Sequence, residues 1–128
     1  MQWGLLLSVG VGGFIGAVLR FLLAGWVQKV SHSVFPFGTL SVNILGSFFI
    51  GFLFLYVQQA NFPTALKFFL VTGLLGSLTT FSTFSLETLV LFQEGVWSKA
   101  VLNIVMNVGV CLGATLLGMI VFKRFFGM

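Results

Sequence analysis

The chain has 128 residues, of which 59% are hydrophobic and only 6% charged, and its mean hydropathy is +1.16. A soluble domain carries roughly a quarter of its residues charged, so composition excludes a water-soluble globular protein and indicates an integral membrane one. The formal charge is +4, but the basic residues are scattered at the ends of apolar runs, which is not the footprint of a nucleic-acid binder.

Apolar runs occupy residues 3–26, 38–58, 66–92 and 96–122, each near or above the ~20 residues needed to cross a hydrocarbon core. The expected architecture is all-α, a single four-helix transmembrane domain over residues 1–128 with no extramembrane domain. The first run lacks a basic leader and is too long for a signal-peptide core, so it is expected to stay as a span. Trp3 and Trp26 bracket it as interfacial anchors, and Gly12 and Gly16 form a G-x-x-x-G that lets a neighbouring helix approach closely. Arg20, near the end of this run, either snorkels to headgroups or faces an aqueous vestibule and raises the local anion concentration. The connector from Gln28 to Pro36 holds His32, which has no second ligand at metal-binding spacing and reads as a loop residue.

Proline opens the second run at Pro36. Asn43 lies well inside it, between Val42 and Ile44, either bonding across helices or facing a pore. The third run is the unusual one: residues 71–87 read VTGLLGSLTTFSTFSLE. Glycine and hydroxyl residues fill the middle of a span, and the backbone from about 76 to 80 has little to hold it helical. Broken backbone at membrane depth is tolerated only where it is buried in protein or lines a water-filled cavity, so this stretch reads as a site for a small polar or charged species. Phe81 and Phe84 share one helical face there, and Ser82 and Ser85 another. Glu87 is the only acid inside any apolar run, and an intramembrane carboxylate is a functional candidate by default.

The fourth run carries Asn103, Asn107, Cys111 and Thr115 at spacing four, a narrow polar stripe on an apolar helix, beside a second G-x-x-x-G at Gly109 and Gly113. Cys111 is the only cysteine, which leaves no intrachain disulfide and no cysteine metal cluster. One histidine and no aspartate leave no hydrolytic triad, phosphate loop or metal-ligand spacing, so the chain is not expected to be an enzyme.

With four spans, Lys67, Lys123 and Arg124 fall on one side of the membrane, and Lys29, Lys99 and Arg20 on the other. Orientation follows Lys and Arg asymmetry in short loops, so this balance predicts dual insertion and with it an antiparallel dimer. Neutral hydroxyl and amide donors, together with the positive edges of phenylalanine rings, suit a small hard anion. The carbonyls of a broken helix suit a cation.

The run from Gly76 to Glu87, preceded by Gly38-Thr39-Leu40-Ser41-Val42-Asn43 and Arg20, closely resembles the Fluc (CrcB) family of fluoride channels over the whole chain. The resemblance implies a broken third helix and a dual-topology antiparallel homodimer with two pores, exporting fluoride passively across the bacterial inner membrane as a multi-pass protein. It further implies that Phe81 and Phe84 flank the fluoride path and that Asn43 is the pore asparagine. Ser82, Thr83 and Thr115 form its polar track with Glu87 near the end, and Arg20 stands in the vestibule. A structural sodium ion is implied at the dimer centre, held by the backbone carbonyls of Gly76 and Thr79 from both subunits. Three positions depart from the family pattern: Ser77 where a second glycine is common, Cys111 where serine is frequent, and Asn107 where some members carry histidine. The competing class is a small proton-coupled multidrug transporter, which needs a mid-membrane acid in the first helix. This first helix has none.

Overall fold

The computed structural model describes residues 2–127, and every regular element among them is helical. Four helical stretches are long and apolar enough to cross a membrane: Gln2–Ser31, Phe37–Gln59, Thr64–Gln93 and Trp97–Phe126. The first span is one helix, α1 (Gln2–Ser31). It runs past Trp26 because nothing in residues 27–31 breaks a helix, and the connector is shorter than the polar composition suggested. The chain leaves α1 at His32, whose φ of 49° is left-handed. Gln28 then staples the connector. Its Nε2 donates to the carbonyls of Ser33 and Phe35 at 2.8 and 3.1 Å, and its Oε1 accepts from the Gly38 N–H at 3.0 Å. One side chain thus satisfies three backbone groups that lie outside the regular helical bonding of α1 and α2.

The second span is α2 (Phe37–Gln59), entered through Pro36. The third is composite: α3 (Thr64–Lys67), a π-helical segment Phe68–Leu75, the short α4 (Gly76–Leu78) and α5 (Phe81–Gln93). Between α4 and α5, Thr79 (φ −85°, ψ 154°) and Thr80 (φ −148°, ψ 116°) are extended. Threonine, branched at Cβ, is at ease in that conformation. The fourth span consists of α6 (Trp97–Val105), a π-helical segment Met106–Val110 and α7 (Cys111–Phe126), closed by Gly127 at φ 70°. Widened π turns commonly mark functional stretches of a helix, and here both lie in the two spans that carry most of the polar residues.

Lipid is as apolar as leucine, so membrane helices associate by close packing. The first span lies against the π-helical part of the third, and α2 against α7. Glycine makes both approaches possible. A Cβ on Gly12 or Gly16 would run into the backbone of Phe69 or Leu74. A Cβ on Gly51 would strike the Thr115 carbonyl, and one on Gly118 the Phe48 carbonyl. Gly109 and Gly113, the second G-x-x-x-G, have open space where a Cβ would stand, so this chain's own packing does not use them. Val42, Leu75 and Leu78 form the buried apolar centre, with Leu23, Ala24, Ile50, Leu53 and Leu74 against it. Phe52, Tyr56, Phe122 and Phe126 interlock where α2 and α7 end, Phe122 and Phe126 being stacked at 4.7 Å.

Replacing Gly118 by leucine forces side-chain atoms into the α2 backbone, and overpacking of this kind costs about 1–3 kcal/mol or more. Gly118→Leu is therefore expected to lower the thermal unfolding temperature of the detergent-solubilised protein. Gly10→Ala, placed where nothing lies within 4 Å, is expected to leave that temperature unchanged or slightly raised.

Candidate functional site

The extended pair Thr79–Thr80 removes helical hydrogen bonds in the middle of a span, and each orphaned group needs a partner. Asn43 of α2 supplies two. Its Oδ1 accepts from the Thr80 N–H at 2.7 Å, and its Nδ2 donates to the Thr80 carbonyl at 3.1 Å. The side-chain amide pairs with one extended residue as a neighbouring strand would. Thr80, itself buried, is also the N-cap of α5: its Oγ1 accepts from the Thr83 N–H at 3.2 Å and donates to Thr83 Oγ1 at 2.9 Å. A threonine cap of this kind holds the first turn of the new helix.

Behind Asn43 the polar residues join into one network. Asn43 Nδ2 donates its second proton to Asn107 Oδ1 at 2.9 Å. Asn107 Nδ2 donates to Asn103 Oδ1 at 2.9 Å and to the Asn103 carbonyl at 3.0 Å. Asn103 Nδ2 donates to Thr88 Oγ1 at 2.9 Å, and Thr88 Oγ1 to the Phe84 carbonyl at 2.7 Å. All of these side chains are buried.

Two cavities meet at the break. The larger, about 690 Å³, lies between the end of α1, the start of α2 and α5, and includes Arg20, Gln28, Thr39, Thr83 and Glu87 in its lining. The smaller, about 350 Å³, includes Asn43, Gly76, Thr79, Phe81, Phe84 and Asn107 in its lining. Thr80 lines both. A Cβ on Gly46 would collide with the Thr79 side chain, so the glycine lets α2 come close enough for Asn43 to reach the break.

The candidate residues therefore divide into groups. Asn43, Phe81, Phe84, Gly76 and Thr79 surround the smaller cavity, and Arg20, Thr83 and Glu87 the larger. Phe84 is buried whereas Phe81 is 76% exposed, their rings meeting edge to face at 5.3 Å. Glu87 has a partner that its sequence position did not suggest: Thr39 Oγ1 donates to Glu87 Oε1 at 2.7 Å. Ser82 faces outward, its Oγ 3.3 Å from Thr80 Oγ1. Thr115 lines neither cavity, and its Oγ1 donates to the Cys111 carbonyl at 3.1 Å. Cys111 lines the smaller cavity together with Asn107, so the stripe of four reaches the site as far as Cys111 and leaves it at Thr115. Asn103 and Asn107 are buried in the network while Cys111 and Thr115 are only half-buried beyond the π-helical turn.

Sequence reasoning passed over Thr80 and Thr88 as individuals. Thr80 is marked only by lying where the helix fails, and Thr88 follows Glu87 with no pattern of its own. Ser77, by contrast, carries no backbone strain. It belongs to α4, and its hydroxyl oxygen lies 3.2 Å from where a Cβ on Gly13 would stand, so α1 has a glycine facing the larger residue.

An all-helical chain with four potential spans, one of them interrupted mid-span by a residue whose peptide is satisfied from a neighbouring span, defines a polytopic membrane protein with a polar intramembrane site. Residues 7–119 match the family model described as CrcB-like protein, Camphor Resistance (CrcB), and the chain belongs to that family. Among curated relatives, the Fluoride-specific ion channel FluC of a Sulfurovum species is 58% identical over 127 residues, 99% of this chain and 100% of the relative. The proteins of the same name from a Nitratiruptor species and from Shewanella halifaxensis are 52% and 54% identical, covering 99% and 93% of this chain and 98% and 97% of their own lengths. These names describe ion channels, not enzymes.

Thr80→Val keeps the extended backbone preference but deletes the cap, whose loss costs about 0.5–2 kcal/mol. The expected outcome is a lower unfolding temperature for Thr80→Val and near wild-type behaviour for Thr80→Ser, measured in parallel by thermal scanning in the same detergent.

Proposed function

We propose that this protein is a fluoride-selective channel that lets fluoride leave the cytoplasm passively across the inner membrane. The observation that carries the reading is the meeting of two cavities at a buried, amide-lined interruption of a span, in a chain whose full-length relatives bear the name of fluoride channels. Fluoride is small and strongly hydrated, so a path for it must offer hydrogen-bond donors in place of water. The larger cavity is the vestibule, where Arg20 attracts the anion and Thr83 offers a hydroxyl. Phe81 and Phe84 then present ring edges, the positive part of the aromatic quadrupole, beside the amides of Asn43 and Asn107. Glu87, tied to Thr39, stands on the vestibule wall, and Ser82 and Thr115 extend the polar track where a second subunit meets it.

The working unit in this reading is an antiparallel homodimer with two pores. Gly76, Phe81, Ser82 and Ser85 are all exposed on this chain. Hydroxyl and glycine backbone facing lipid would be poorly matched, whereas a second copy can meet them. The balanced positive charge and the open Gly109 and Gly113 support the same arrangement.

The residues also fit a structural sodium ion at the dimer centre. The Gly76 carbonyl would ordinarily accept from the Thr80 N–H, and the Thr79 carbonyl from the Thr83 N–H. Both donors are diverted, to Asn43 Oδ1 and to Thr80 Oγ1. Both carbonyl oxygens thereby lose their usual helical donor at the break, and such oxygens are the hard ligands an alkali cation takes. A bound ion would supply the positive charge that lets carbonyls of two subunits converge.

The test is efflux from proteoliposomes followed with fluoride and chloride electrodes on parallel samples. Rapid loss of fluoride without loss of chloride is expected. Phe81→Ile and Phe84→Ile are each expected to abolish fluoride loss while the dimer elutes as before. Unchanged flux in both would remove the phenylalanines from the path, and a silent wild type in well-reconstituted samples would remove the channel reading.

A further inference from the structure

Thr88 and Asn103 line neither cavity, yet the amides that do line the smaller one are oriented through them. The network has a fixed direction. Thr88 Oγ1 gives its proton to the Phe84 carbonyl at 2.7 Å, so towards Asn103 Nδ2, at 2.9 Å, the same oxygen can only accept. That turns Asn103 Oδ1 to Asn107, whose Nδ2 donates to it at 2.9 Å. With its N–H groups committed, Asn107 presents Oδ1 to Asn43 Nδ2 at 2.9 Å. Asn43 must then present Oδ1 to the Thr80 N–H and its other proton to the Thr80 carbonyl.

The relay leaves α5 at Thr88, crosses α6, the fourth span's π-helical turn and α2, and returns at Thr80, just before α5 begins. Turning any one amide over would set oxygen against oxygen or N–H against N–H in a dry interior, where a mismatched polar pair is costly. Among the described residues, Glu87 Oε2 is the only buried side-chain polar atom left without a partner, so the relay itself is fully matched.

We infer that Thr88 and Asn103 are positioning residues of the anion path: they set the amide polarity with which Asn43 and Asn107 meet an anion in the smaller cavity. The inference rests on the channel reading above. An anion arriving in the smaller cavity competes with the Thr80 carbonyl and Asn107 Oδ1 for the protons of Asn43 Nδ2, and the relay decides that Asn43 shows its N–H groups, and Asn107 its oxygen, on that side. Thr88→Val removes the acceptor at the start of the relay while keeping shape and helical fit. Thr88→Ser keeps the hydroxyl.

The experiment pairs fluoride efflux with the side-chain amide resonances of Asn43 and Asn107 in reconstituted protein labelled with ¹⁵N asparagine. Thr88→Val is expected to lower fluoride flux about tenfold, the bias that a buried hydrogen bond supplies, and to shift both asparagine resonances. Thr88→Ser is expected to restore both. If Thr88→Val does not elute as a dimer, Asn103→Ser, too short to reach Asn107, makes the same cut one link on and is expected to give the same two changes. Lower flux with unmoved resonances would overturn the inference, because the loss would then be merely structural, and so would moved resonances with wild-type flux. A wild type that passes no fluoride would defeat the channel reading alone, since the resonance shift still reports whether Thr88 orients the amides.

Discussion

One peptide unit sets the terms for the whole site. Thr80 is extended in the middle of a membrane span, and its N–H and C=O cannot turn to water. Asn43 reaches both with a single side-chain amide. An unpaired backbone group costs several kcal/mol in hydrocarbon, so the break exists only while α2 stands at the right height and distance. Gly46 permits that distance, and the packing of α2 on α7 through Gly51 and Gly118 sets the height. The cavities on either side follow from the same constraint, because a span that stops and restarts cannot fill the space a continuous helix would.

Placing the break next to a chain of asparagines has a second consequence. Each amide offers both a donor and an acceptor, so a run of them crosses the protein without an orphan and without a charge. The basic residues stay at the ends of the spans apart from Arg20, which lines the larger cavity. The smaller cavity and the asparagine network behind it are therefore polar but carry no charged side chain, an environment that asks an anion to exchange water for N–H and O–H groups.

Much of this was legible in the sequence, for physical reasons that can be named. Four long apolar runs in a chain with 6% charge leave no soluble alternative, and the lipid requirement for internal hydrogen bonding makes each run a helix. Gly76 to Thr80 stood out because glycine and hydroxyl residues are a poor way to build a plain span. Asn43 and the stripe beginning at Asn103 stood out because amides in hydrocarbon need partners. What could not be read were pairings set by three-dimensional approach. Nothing in the order of residues joins Thr39 to Glu87, or Asn103 to Thr88. The two π-helical segments were also hidden, since one inserted residue per turn leaves no compositional mark. The two G-x-x-x-G motifs looked alike, yet only Gly12 and Gly16 meet another helix of the same chain.

The most direct measurement is hydrogen exchange at the Thr80 amide, resolved by NMR in the bilayer-reconstituted protein and in Asn43→Ala. If Asn43 holds the break, the Thr80 N–H exchanges as slowly as amides inside the flanking helices, and that protection collapses in the variant. Exchange as fast as at the exposed connector residue Asn61, or protection unaffected by loss of the asparagine amide, would contradict a break held by Asn43.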